Sequence, residues 1–99
     1  MTYQCIVKEK IIDIDTHAFF RMLERGMANG LDFHETKERT FQTVREGKRA
    51  IRKHLSQQGP TYYHYFHDNL SFYVICKEKE FPEYIKSIIK TVIIEKGRQ

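Results

Sequence analysis

The sequence predicts an α+β domain: an N-terminal strand and two helices packed on one face of a twisted antiparallel sheet of three to four strands. Three observations carry this. A segment that begins at Thr16 spaces Phe20, Leu23 and Met27 three and four apart, the period of a helix with one apolar stripe. Residues 61–67 and 70–77 are strand-like runs rich in aromatic and β-branched side chains, with only Asp68-Asn69 between them, which marks a hairpin. Residues 88–94 are mostly β-branched, the composition of a buried strand near a sheet centre.

Each element has its own warrant. Residues 2–14 set Tyr3, Cys5 and Val7 at one parity and Gln4, Ile6 and Lys8 at the other, followed by Ile11, Ile12 and Ile14. They predict a first strand bent near Lys8-Glu9-Lys10, or two short strands. Asp15 or Thr16 caps the first helix by accepting a bond from an otherwise unpaired N–H, and Gly26 or the pair Asn29-Gly30 ends it. Phe19 joins Phe20, Leu23 and Met27 on the stripe that faces the core. Asp32 caps the second helix, with Glu35 placed to reach back to the Asp32 N–H. Phe33, Phe41 and Val44 form its apolar stripe, Glu35 and Arg39 stand one turn apart, and Gly47 stops it. The run Lys48-Arg49-Ala50-Ile51-Arg52-Lys53-His54-Leu55 is the densest basic stretch and suits helix or strand equally. Gln58-Gly59-Pro60 is a turn. Beyond the hairpin, residues 78–83 are polar, contain Pro82 and read as a loop. Residues 84–88 read as a turn of helix or the start of a strand, and 95–99 as a polar tail. With no repeat, low-complexity tract or linker, residues 1–99 read as a single domain.

The bulk composition narrows the class. At 99 residues, with 40% apolar and 30% charged side chains, the chain is globular rather than disordered. Seventeen Lys and Arg against thirteen Asp and Glu leave a net charge of +4, which favours an anionic partner without naming one. Cys5 and Cys76 both sit in apolar runs and form no Cys-x-x-Cys pair, so they read as buried free thiols of a reducing compartment. Met1 leads straight into strand-like residues rather than a leader. No apolar run approaches the ~20 residues that cross a bilayer. The expectation is a cytoplasmic protein without a membrane partner.

Several side chains can carry chemistry. His17, Arg21 and Arg25 recur every four residues and form a ridge apart from the apolar stripe. His17 falls in the first helical turn, beside the positive end of the helix dipole, where a neutral imidazole can serve as a base. Its plainer reading is a helix-start histidine bonded to a carbonyl. In the run Tyr62-Tyr63-His64-Tyr65-Phe66-His67, strand parity puts Tyr62, His64 and Phe66 on one face. Phe66 marks that face as inward, leaving Tyr63, Tyr65 and His67 to stack bases and shuttle protons. Plain β-propensity explains the same run. Lys90 and Thr91 interrupt the last apolar strand and, by alternation, point to opposite faces. A lysine there needs solvent, a carboxylate or a phosphate. A metal site finds little support: His64 and His67 face opposite ways, and His34 with Glu38 lacks a third ligand. Neither a Gly-rich phosphate loop nor a Gly-x-Ser-x-Gly motif is present.

These residues resemble the RelE-like toxins of the barnase–EndoU–colicin–RelE ribonuclease superfamily. The resemblance is sharpest to a small group with a His-Ala-x-x-Arg-x-x-x-Arg-Gly helix, here His17-Ala18, Arg21 and Arg25-Gly26. The element order is similar too, ending in a strand with a polar interruption, here Ile89-Lys90-Thr91-Val92. Two stretches depart from the group: residues 47–59 are longer and more basic, and 79–88 look inserted. The resemblance implies metal-independent RNA cleavage with no cofactor. His17 would be base or acid, Arg21 the phosphate clamp, and Thr91 a contact to the scissile phosphate. It also implies a cognate antitoxin and an mRNA or tRNA substrate, free or on the ribosome. Strand parity adds His67 to the catalytic candidates. Arg25, Lys48, Arg49, Arg52, Lys53, Tyr63, Tyr65 and Lys90 are candidates for substrate binding. The rival expectation is a non-catalytic basic module for RNA or protein, gripping through Lys48, Arg49, Arg52 and Lys53.

Overall fold

The computed structural model describes residues 8–99; the parity read for Tyr3, Cys5 and Val7 lies outside them. The elements in order are β1 (Glu9–Ile14), α1 (Thr16–Ala28), α2 (Phe33–Glu46), β2 (Lys48–Arg49), β3 (Thr61–Tyr65), β4 (Leu70–Glu80) and β5 (Tyr84–Lys96). They form two helices and one five-stranded sheet of order β1-β5-β4-β3-β2. Strands β2 to β5 are antiparallel, as the sequence predicts. The N-terminal strand joins the same sheet, parallel to β5, with Ile14 opposite Ile89. The sheet is therefore mixed. A parallel pair needs a long crossover, and the two helices with the meander supply it.

Both helices start where their caps predict. Asp15 accepts the Ala18 N–H at 2.9 Å, and Asp32 accepts the Glu35 N–H at 2.8 Å. Glu35 does not close a capping box; its carboxylate pairs with Arg39 at 3.3 Å instead. Asn29 caps the end of α1, and Gly30 follows at φ 78°, the left-handed conformation that glycine adopts without strain.

The buried stripes differ from those the spacing suggests. Helix α1 buries Ala18, Met22 and Gly26, while Phe20 and Met27 are 58% and 74% exposed. At Gly26 the approach is close: a Cβ there would stand 2.0 Å from Thr36 Oγ1, so that position admits only glycine without a shift. Helix α2 buries Thr36, Thr40, Thr43 and Val44 and leaves Phe33 exposed. Each of these threonine hydroxyls donates at 2.7 Å to a carbonyl one turn back, which satisfies the oxygen inside the interface. The sheet contributes Tyr62, Phe72, Val74, Cys76, Ile89, Val92 and Ile94 to the same core, joined by Phe66 just past the end of β3.

Residues 78–80 are strand rather than loop, and only 81–83 form the connection. β4 runs to Glu80, Phe81 N–H donates to the Tyr84 carbonyl at 2.8 Å, and the Phe81 and Tyr84 rings stack at 4.7 Å. Polar side chains are tolerated because several at this end of the ribbon, Lys77, Lys79, Glu80 and Lys86, face solvent. After β2 the basic run is neither helix nor strand. It returns across the helix-free face of the sheet, fastened by Ala50 N–H to the Thr61 carbonyl at 2.8 Å and Thr61 Oγ1 to the His54 carbonyl at 3.0 Å.

Candidate functional site

The end of β1 creates the site. Asp15 N–H donates to the Ile89 carbonyl at 3.2 Å as β1 gives way to α1. Past that point β5 continues without β1 beside it, and α1 packs along it. This brings the His17–Arg21–Arg25 ridge against Lys90 and Thr91. The five side chains line one cleft of about 170 Å³.

Simple alternation puts Lys90 and Thr91 on opposite faces, and the structure corrects this. Ile75 pairs with Thr91 while Cys76 pairs with Ile89, so Lys90 is an extra residue without a partner on β4. Such a bulge breaks the two-residue period and re-aims side chains. The buried positions shift parity across it, from Ser87 and Ile89 to Val92 and Ile94. Both polar residues can then line the cleft.

Two of the three cations in the cleft are committed to the fold. Lys90 Nζ donates to Asp15 Oδ2 at 3.0 Å, tying the start of α1 to the bulge. The Ala18 N–H bond, reinforced by Lys90, holds the Asp15 carboxyl below the usual carboxylate range. Arg25 donates to the Val92 carbonyl, pinning the last turns of α1 to β5. Arg21 and His17 are exposed, and neither bonds another described side chain. The cleft thus offers an imidazole, an uncommitted guanidinium, a hydroxyl and two anchored cations, a set that suits a phosphate-sized anion.

The other candidates lie elsewhere. His67 is not part of this cleft: β3 ends at Tyr65, so strand parity no longer governs it, and it borders a separate hollow with Glu38, Arg39, Gln42 and His64. Tyr63 and Tyr65 do occupy the helix-free face, opposite buried Tyr62 and Phe66, but neither ring stands bare. The Tyr63 hydroxyl accepts the Gln99 N–H at 3.0 Å. Tyr65 donates to Asn69 at 2.7 Å beneath the Arg98 guanidinium. Lys48 borders a hollow with Tyr63, Tyr65 and Arg98, whereas Arg49 lies over the Tyr62 ring at 5.4 Å. Arg52 and Lys53 are exposed on the segment that crosses the sheet. Lys48 and Arg49 on β2 are therefore apart from the His17 cleft, since three strand spacings, roughly 14 Å, lie between β5 and β2, while Lys53 reaches back over the sheet to Glu95 on β5 at 3.6 Å.

Two clusters had no sequence signal. Lys10 donates to the Tyr62 hydroxyl at 2.8 Å, and that hydroxyl donates to Glu78 at 2.7 Å. Burial, then Glu78, pushes the Tyr62 phenol far up, so it stays protonated as a structural link. On the helix-free face, His54 Nε2 meets Glu95 Oε1 at 2.8 Å across 41 positions of sequence. No periodicity could have joined them, because the segment that carries His54 is irregular. Burial pushes the Cys76 thiol up to about 11, which removes it as a nucleophile. Among the described residues, no three His, Cys, Asp or Glu side chains gather to hold a metal ion, and no helix is long and apolar enough to cross a membrane. No family model, curated protein or solved structure matches the chain.

Proposed function

We propose that this protein is a metal-independent endoribonuclease of toxin type, acting at the cleft between α1 and β5. One observation carries the reading: His17, Arg21, Arg25, Lys90 and Thr91, drawn from opposite ends of the chain, line a single cleft. In this reading His17 takes the proton from a ribose 2′-hydroxyl, and the 2′-oxygen attacks the adjacent phosphorus. The P–O5′ bond breaks, the leaving oxygen gains a proton, and a 2′,3′-cyclic phosphate and a 5′-hydroxyl result. Arg21 pairs with the phosphorane oxygens, where a planar guanidinium is worth most. Thr91 donates to the same phosphate. Arg25 and Lys90 act through position, fixing α1 and the bulge while adding positive potential. The substrate in this reading is mRNA or tRNA in the cytoplasm, and a cognate antitoxin restrains the activity.

The test is RNA cleavage by purified wild type in EDTA, beside His17→Ala and Arg21→Ala. The reading expects cleavage by wild type alone. Cleavage retained in both variants overturns the site. The anchoring of Arg25 and Lys90 to protein partners supports a second reading, a non-catalytic basic module. That module would bind RNA with strong salt dependence and no turnover.

A further inference from the structure

The helix-free face carries a second constellation next to the cleft. His54 is held at three points, two on its ring and one on its backbone. Its Nε2 meets Glu95 at 2.8 Å, its edge packs on buried Tyr73 with ring centroids 4.8 Å apart, and its own carbonyl accepts the Thr61 hydroxyl at 3.0 Å. Its backbone sits at φ 57°, a left-handed conformation that bulky L residues rarely adopt. Lys53 Nζ stands 3.6 Å from the other oxygen of Glu95. The imidazole is neither sealed nor loose, at 29% exposure. Nδ1 has no partner among the described residues. In the neutral ring a carboxylate at Nε2 keeps the proton there and leaves Nδ1 as the acceptor.

Position links this pair to the cleft. Thr91 and Glu95 lie four residues apart on β5, about 13 Å of strand. By alternation Thr91 and Glu95 share one face of β5, so an RNA strand that meets Thr91 in the cleft can continue along that face to His54. Lys53 and exposed Arg52 supply positive charge on the way.

We propose that His54, positioned by Glu95, is a ribose subsite: Nδ1 accepts a bond from the 2′-hydroxyl of a nucleotide near the one in the cleft, while Lys53 meets its phosphate. The subsite rests on the RNA reading above and deepens it, because a bond to the 2′-hydroxyl is what separates RNA from DNA. It takes no part in the bond-breaking step.

The experiment is fluorescence anisotropy with a labelled six-nucleotide RNA and the DNA of the same sequence, in a His17→Ala background that leaves the RNA whole. The key variant is His54→Asn, since asparagine tolerates the left-handed backbone; thermal melts check folding. Glu95→Gln tests the positioning role. The parent should favour RNA over DNA about tenfold, the worth of one hydrogen bond. His54→Asn should bring that ratio to about one while DNA affinity holds, and Glu95→Gln should fall between. An unchanged ratio in His54→Asn, or equal weakening of both ligands, overturns the subsite and leaves the RNA reading standing. A parent that binds neither ligand overturns both.

Discussion

Gly26→Ala should destabilise this protein, against the sign that helix propensity dictates. In an exposed helix interior the change is worth about 1 kcal/mol of stabilisation. Here the new Cβ would stand 2.0 Å from Thr36 Oγ1, 2.6 Å from its Cγ2 and 2.8 Å from its Cβ. Carbon contacts are comfortable at about 3.5–4.0 Å, so the overlap approaches an ångström or more at each atom. Thr36 cannot turn away cheaply, because its hydroxyl donates to the Asp32 carbonyl at 2.7 Å and its branched side chain is stiff. Either the helices part or that bond is lost. Overpacking of this kind costs about 1–3 kcal/mol, which leaves a net loss near 1 kcal/mol after the propensity gain. For a domain of this size that lowers Tm by roughly 4–8 °C. Urea or thermal unfolding followed by circular dichroism reads it. Pairing the change with Thr36→Ala removes two of the three overlaps, so the double variant should recover part of the loss, with a coupling of at least about 0.5 kcal/mol. A raised Tm in Gly26→Ala, or strictly additive effects, would refute the close-packed α1–α2 contact.

Other outcomes follow from single contacts. The Asp15 carboxyl is lowered in the folded state, so its stabilising contribution is present above about pH 4 and is lost as pH falls through the lowered value; Asp15→Asn should flatten the fall in Tm below about pH 4, and an unchanged acid limb would contradict the capping role. Arg25→Met should cost about 1 kcal/mol by releasing the Val92 carbonyl, whereas exposed Arg21→Met should leave Tm within a few degrees; equal melts for the two would remove the distinction between anchor and open cation. In a Cys5→Ser background, Cys76 at pH 8 should react with a thiol reagent only on unfolding, since the buried thiol is pushed up to about 11; rapid labelling of the folded protein would show it accessible.

The sequence carried the elements further than their faces. Aspartates at both helix starts, the Asp68-Asn69 hairpin and the β-branched last strand were legible because each depends on local chemistry. Helix packing was not. Phe20 and Met27 have the spacing of a core stripe, yet small Ala18 and Gly26 decide which side fits against the neighbours. The threonines of α2 read as polar and are buried, because each spends its hydroxyl on its own helix. In the cleft, the ridge of His17, Arg21 and Arg25 was visible from spacing alone. That Lys90 and Thr91 share a cleft was not, since a bulge is a property of two paired strands rather than of one. His54 and Glu95 met for a similar reason: an irregular segment, fastened by backbone bonds, laid one over the other.

The most direct measurement is the cleavage of a fluorogenic RNA by wild type and His17→Ala in the presence of EDTA, with Tm recorded for both. The account predicts a cyclic-phosphate product from wild type, loss of at least a hundredfold in rate for His17→Ala, in line with removing a general base, and melts within a few degrees of each other. Equal rates in folded proteins, or no cleavage by wild type of any RNA offered, would contradict it.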